Sequence, residues 1–292
     1  MPRSRTSRRS LAFLLAAAGL LAALGLTVAG ATALRSNGPQ AVDQVTTYSA
    51  PPLKHPTPPA SPVRLSLAVL GDSVPAASAC DCAGFGDIYG REIAAMTHST
   101  VQVNNLGTPR QTSEQLLTTL AVGQPAAKVV AGADIVTITI GANDFDYGTY
   151  SRSTCADLSC YDPALLRMRN AVGAVLTQIA VLRAGRPTAA RVTGYWDIWK
   201  DGAVGRAEAE PYSAIGDALT RKVNAALSAV AAAHEVAYVD LITAFRGASG
   251  TDDDTNLLAP DGDHPNNVGH NRIAGALLAA GLAPLGSLRP AG

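Results

Sequence analysis

From Val63 onward, short apolar runs rich in β-branched residues alternate with longer stretches of helical spacing, and few folds accommodate that order. Residues 64–70 (RLSLAVL) read as a strand stopped by Gly71. Residues 85–97 carry Ile88, Ile93 and Met96 at helical spacing, and residues 100–106 alternate as a strand with Val101 and Val103 on one face. A short helix over 113–120, with Ser113 as its N-cap, leads to the clearest strand, residues 134–140 (DIVTITI), closed by Gly141. A helix over 163–184 follows, with Pro163 in its first turn. Then come a strand over 191–199, a helix over 212–234, a strand over 236–241 and a closing helix over 266–280. Strands that alternate with helices pair in parallel, because parallel neighbours need crossover connections, and right-handed crossovers put helices on both faces. The expected architecture is α/β, a three-layer α/β/α sandwich around a parallel sheet of about five strands. Such sheets bind ligands outside the carboxyl ends of their strands, so functional residues should sit just after strands.

The chain is divided before that alternation begins. Residues 1–10 contain Arg3, Arg5, Arg8 and Arg9 and no acid, and residues 11–34 are uncharged, dominated by Ala, Leu and Gly. Two small-x-small sites close the run, Ala29-Gly30-Ala31 and Ala31-Thr32-Ala33. A basic start, an apolar middle and an Ala-x-Ala end make residues 1–33 an export signal. The stretch Ser7-Arg8-Arg9-Ser10-Leu11 also resembles a twin-arginine signal, which exports folded proteins. An N-terminal anchor is the alternative, because the uncharged run of residues 11–34 is long enough to tether the chain across a bilayer. Either way the bulk of the protein is expected outside the cytoplasm, secreted or extracytoplasmic. Residues 34–62 read as a Pro-rich linker, with Pro39, Pro51, Pro52, Pro56, Pro58, Pro59 and Pro62 among polar residues. Residues 63–292 then form one domain.

Removing residues 1–33 takes four arginines from 23 basic side chains and none of the 23 acidic ones, leaving a formal charge of −4. No nucleic-acid partner is expected, because that needs a basic footprint, and the reading is of a monomer. Four cysteines in an exported chain suggest disulfides. Cys155 and Cys160 bracket a short loop and are the pair easiest to close. Cys80 and Cys82 stand one residue apart, so joining them would be strained, and cross-pairing stays open. A zinc site is the competing reading, but Cys-x-Cys without matched His spacing is weak, so neither metal nor cofactor is expected.

Four places carry the chemistry. Gly71-Asp72-Ser73-Val74 follows the first strand, Asn105-Leu106-Gly107 the second and Gly141-Ala142-Asn143-Asp144 the third. Asp261-Gly262-Asp263-His264-Pro265 precedes the last helix. A serine hydroxyl in a tight turn after a strand is well exposed, yet it is a weak nucleophile until an imidazole takes its proton. A carboxylate within a few residues of His264 could orient that imidazole, and both Asp261 and Asp263 qualify. Each place also has a plainer reading: a strand-ending turn, a helix cap, a surface histidine. Four such places in register favour a site.

In that order the four motifs resemble those of the GDSL or SGNH hydrolases, over roughly residues 64–282. The resemblance implies an SGNH, flavodoxin-like sheet with Ser73 as nucleophile, His264 as base and Asp261, three positions upstream, as its partner. It also implies an oxyanion hole made by the backbone N–H groups of Ser73 and Gly107 and the side-chain amide of Asn143. The implied activity is carboxylic ester hydrolysis, by an esterase or lipase that forms an acyl-serine on a small-molecule, lipid or carbohydrate ester. A deacetylase of acetylated carbohydrates and an inactive surface binding module are the alternatives. The Gly-x-Ser-x-Gly elbow of a different hydrolase layout does not occur in the chain.

Three further expectations follow. Trp196 and Trp199, at the end of the fourth strand, are read as a substrate wall, with core packing as the alternative. Asp252, Asp253 and Asp254 are read as an acidic solvent loop rather than a calcium loop. His270 is read as a partly exposed residue of the last helix.

Overall fold

The computed structural model describes residues 63–286. The export signal or anchor of residues 1–33 and the linker of residues 34–62 lie outside the described residues. Five strands, β1 (Arg64–Gly71), β2 (Thr100–Gly107), β3 (Ile135–Thr139), β4 (Ala189–Thr193) and β5 (Ala237–Val239), form one sheet in the order β2-β1-β3-β4-β5. Every pairing is parallel. The helices are α1 (Phe85–Thr97), α2 (Ser113–Thr119), α3 (Pro125–Gly132), α4 (Tyr147–Ser151) and α5 (Asp162–Arg183), followed by α6 (Gly202–Arg206), α7 (Tyr212–Ala233), α8 (Leu241–Arg246) and α9 (Asn267–Ala279). On one side α1 packs on α9 and α9 on α8; on the other α5 packs on α2, α3 and α7. The expected three layers are present.

Burial follows from that layering. Leu67, Ala68, Val69 and Leu70 of β1 and all five residues of β3 are buried, as continuous apolar runs must be when helices cover both faces. The edge strand β2 instead alternates, half in and half out. Truncating a central residue such as Ile138 to alanine would cost about 2–5 kcal/mol through lost transfer energy and the cavity left behind.

The structure departs from expectation where side chains take over backbone work. β4 ends at Thr193 rather than running to residue 199. Gly194 N–H makes a last bond to the Val239 carbonyl, and Asn224 then clamps Tyr195, accepting from its N–H at 2.9 Å and donating to its carbonyl at 2.7 Å. That clamp replaces strand pairing. The N-cap of α2 is Thr112, not Ser113: Thr112 and Gln115 form a reciprocal capping box, which frees the Ser113 hydroxyl for Asp144. The last helix places His270 fully in the core against α1, where its Nδ1 accepts the Phe85 N–H at 3.2 Å, so the expectation of partial exposure is corrected.

Candidate active site

Register assembles the first half of the site. Gly71 at the end of β1 lies opposite Gly107 of β2 on one side and Thr139 of β3 on the other. Gly71 has φ +131°, and a Cβ there would stand 1.8 Å from the Thr139 carbonyl oxygen, so only glycine permits the chain to leave the sheet here. The next residue, Asp72, donates its N–H to that same carbonyl at 3.1 Å. Its carboxyl is buried between the Val74 N–H, at 3.0 Å, and the hydroxyl of Tyr195. Burial pushes the Asp72 carboxyl up to about 7, against the pull of the Tyr195 and Val74 hydrogen bonds.

Ser73 stands at the tip of this turn, partly exposed. Its carbonyl accepts the Ser78 N–H at 3.0 Å, while its own N–H has no hydrogen-bond partner among the described residues. Gly107 presses on the segment beyond Ser73: a Cβ on it would lie 2.4 Å from the Ala76 nitrogen. The Gly107 N–H donates to the Asn105 side chain at 2.9 Å, and the Asn105 amide reaches the Pro75 carbonyl at 2.7 Å. Asn143 follows β3 in a single turn of 3₁₀ helix and spends one amide proton on the Gln111 carbonyl at 3.1 Å, keeping the second. Asp144 anchors that turn by accepting both the N–H and the hydroxyl of Ser113, and burial raises its pKa. Asp144 is thus a brace between two loops.

The second half comes from the loop before α9. Leu258 and Pro265 form an antiparallel bridge, Ala259 N–H meets the His264 carbonyl at 2.7 Å, and the side chain of Asn266 caps α9. Within this closed loop the Asp261 Oδ2 lies 2.8 Å from His264 Nδ1, whereas Asp263 stands at 3.8 Å. Asp261 Oδ1 also accepts the N–H groups of Asp263 and His264, both at 3.1 Å. Partial burial opposes its charge, but these three bonds outweigh it and hold the Asp261 carboxyl below its ordinary range. From this loop the charge of Asp263 adds to the rise of the Asp72 carboxyl, and that of His264 opposes it. Ser73 Oγ and His264 are not hydrogen-bonded to one another; contacts of this kind commonly close only with substrate in place.

An ion cluster missed by sequence reading holds the histidine loop to the body. The buried Arg246, at the end of α8, donates to Asp201 at 2.8 Å, Asp217 at 2.7 Å and Asp197 at 3.2 Å, with Asp254 at 3.8 Å. Asp201 in turn uses its backbone N–H to grip the Gly262 carbonyl at 2.7 Å, beside Asp261. Asp254 is therefore buried, not a solvent residue as expected; Arg246, eight residues earlier, draws it in. Burial, reinforced by the neighbouring Asp201 charge, raises both Asp197 and Asp254 to about 7.

Trp196 is wholly buried and stacks on Phe245 with centroids 4.2 Å apart, and Trp199 donates its indole N–H to the Phe145 carbonyl at 3.3 Å. Both pack in the core, the alternative reading of this pair. The sulfurs of Cys155 and Cys160 lie at bonding distance, with Cα atoms 5.5 Å apart. Those of Cys80 and Cys82 also meet, with Cα atoms 5.2 Å apart, against expectation. A cavity of about 750 Å³ between β5, α8 and α9 is lined by Tyr238, Thr243, Val268 and Arg272 and contains none of the candidate site residues.

Solved structures of other proteins share this fold. The lipase Lip_vut3 from a goat rumen metagenome shares the fold at TM-score 0.63 and 19% identity, with 76% of this chain and 99% of that one covered. Axe2, an acetylxylan esterase from Geobacillus stearothermophilus, aligns at TM-score 0.51 and 17% identity over 79% of this chain and 99% of its own. No curated protein matches the chain. Residues 69–272, which run from β1 into α9 and include all four motifs, match the GDSL-like lipase/acylhydrolase family, and the chain belongs to it.

Proposed function

We propose that this protein is an exported ester hydrolase that acts through an acyl-Ser73 intermediate. The observation that carries the reading is the 2.8 Å hydrogen bond from His264 to Asp261, on a loop whose charges reach the Ser73 turn. With Nδ1–H directed at Asp261, His264 keeps the Nε2 lone pair free to accept a proton. Ser73 Oγ attacks the ester carbonyl carbon as its proton passes to His264, and the Asp261 carboxylate steadies the imidazolium. The proton then goes to the departing alcohol. Water repeats the sequence on the acyl-serine and releases the acid.

The oxyanion formed in each step needs donors that are already aimed. The unengaged Ser73 N–H and the second amide proton of Asn143 supply two. The Gly107 N–H supplies a third once it is shared between the Asn105 oxygen and the oxyanion. Losing one such donor typically costs about 3–4 kcal/mol of barrier.

The acyl and alcohol parts of the substrate follow from assay. Purified mature protein is given p-nitrophenyl acetate, butyrate and palmitate and acetylated sugars, beside Ser73→Ala. Activity lost in the variant supports the acyl-serine route, and the chain-length profile separates esterase, lipase and sugar deacetylase. Equal rates in both proteins, or none on any substrate, would leave a binding module. Appearance of the processed protein in the medium tests export; retention in the cytoplasm refutes it.

A further inference from the structure

The segment that follows Ser73 has a second chemistry of its own. It runs from Val74 to Gly84 as a chain of turns, with Ala76 N–H on the Asp72 carbonyl, Ala77 N–H on Val74 and Ser78 N–H on Ser73. Cys80 and Cys82 close its far end, both partly exposed, with the exposed Asp81 between them. A ring nitrogen of His270 and the two sulfurs all lie within 4.8 Å of one another.

His270 is fully buried, and its Nε2 has no hydrogen-bond partner. Its Nδ1 accepts the Phe85 N–H, so the neutral ring must carry its proton on Nε2. Burial pushes the imidazole down to about 4, so the ring is neutral near pH 7. An orphaned buried N–H costs free energy, and a divalent metal would not relieve it, because that nitrogen has no lone pair to offer. A sulfur bearing negative charge would relieve it.

We propose that Cys80–Cys82 is a thiol-exchange site, with the His270 Nε2–H as the donor that receives the sulfur released when the bond opens. The partner is an external dithiol. One of its thiolates attacks the Cys80 or Cys82 sulfur, the S–S bond breaks, and the other sulfur leaves as a thiolate beside His270. The second thiol of the partner then resolves the mixed disulfide. Two electrons and two protons pass to the cysteine pair, and the partner leaves as a disulfide. Cys155–Cys160 has no such imidazole beside it and spans a longer loop, so it serves as an internal reference.

Opening the pair also matters for hydrolysis, on the proposed reading of the site. The Pro75 carbonyl holds Asn105, and Ala76 backs Gly107, so the turns between Ser73 and Cys82 shape two sides of the oxyanion site. Slackening them should lower the rate.

The test equilibrates intact protein in graded ratios of reduced to oxidised dithiothreitol, traps free thiols with a maleimide and locates them by peptide mass spectrometry. Cys80–Cys82 should open at a reductant ratio about tenfold lower than Cys155–Cys160. Opening of both together, or of Cys155–Cys160 first, would overturn the proposal. His270→Asn should move the Cys80–Cys82 midpoint toward the oxidised form and leave the other pair in place. Because that substitution lies in the core, the wild-type protein gives an independent readout. The His270 Nε2–H signal in ¹⁵N NMR should shift on reduction, and a static signal would refute its role. Thiol trapping needs no activity, so the exchange site and the ester-hydrolase reading fail separately. Only if both hold should the ester rate of wild type fall with reduction while the Cys80→Ser/Cys82→Ser double variant ignores it.

Discussion

The nucleophile turn and the histidine loop are built on different physics. Ser73 is positioned by three strand ends in register, by a glycine that nothing else can replace and by the buried Asp72–Tyr195 contact. His264 rides on a loop whose base, Leu257 to Ala259, is buried in the core, and whose tip is closed by one antiparallel bridge and moored through Asp201 to the Arg246 cluster. One half is a consequence of folding the sheet. The other is an attachment that charge holds in place.

The comparison is broken most severely at the histidine itself. His264→Ala should lower kcat for a good ester substrate by about 10⁴-fold or more, with thermal stability close to wild type, because the side chain contributes to chemistry and not to the core. Steady-state kinetics beside a melting curve decide it. A large drop in Tm would mean the loop is a folding element after all. Next comes the mooring. Arg246→Met strands several buried carboxylates and should cost about 3–5 kcal/mol, read by denaturant unfolding. A near-neutral result would show that the loop does not depend on charge.

A smaller effect separates the two acids beside the imidazole. Asp261→Asn should reduce kcat about 10²- to 10⁴-fold, while Asp263→Asn stays within about threefold, because only Asp261 contacts Nδ1. Reversed sensitivities would reassign the partner. The mildest test touches the sheet half. Asp72 has a folded pKa of about 7 against an ordinary 3.8, so the folded state holds its proton more tightly than the unfolded one. Its contribution is intact below about pH 4 and is lost as pH rises to about 7, at no more than about 1.4 kcal/mol per pH unit. Asp72→Asn should flatten that part of the stability profile measured by urea unfolding; an unchanged slope would place the titration elsewhere.

Much of the sheet half could be read in the residues, because parallel strands buried on both faces must be apolar throughout, and DIVTITI or RLSLAVL can hardly be anything else. The motif residues were legible for the same reason: each stands directly after such a run or before the last helix. What escaped reading was every feature created by a distant partner. Arg246 carries no signal in the sequence, yet three buried or half-buried aspartates converge on it. Asp254 looks exposed among its acidic neighbours, because nothing in the sequence shows that the nearby Arg246 turns back onto it. Trp196 and Trp199 at the end of a strand fit a wall or a core equally well, and Phe245 and the Phe145 carbonyl decide for the core. His270 misled because its buried neighbour, Phe85, is 185 residues away.

The mooring of the histidine loop bears on how the protein should fail when heated. The tip of that loop, moored through Asp201 to one ion cluster, can open on its own, as a local event, while the sheet beneath it remains intact. Inactivation and unfolding would then be two transitions rather than one, the first reversible on cooling. An enzyme of this construction loses its catalyst before it loses its fold, and a graft of apolar contacts under residues 260–264 is where durability would be gained.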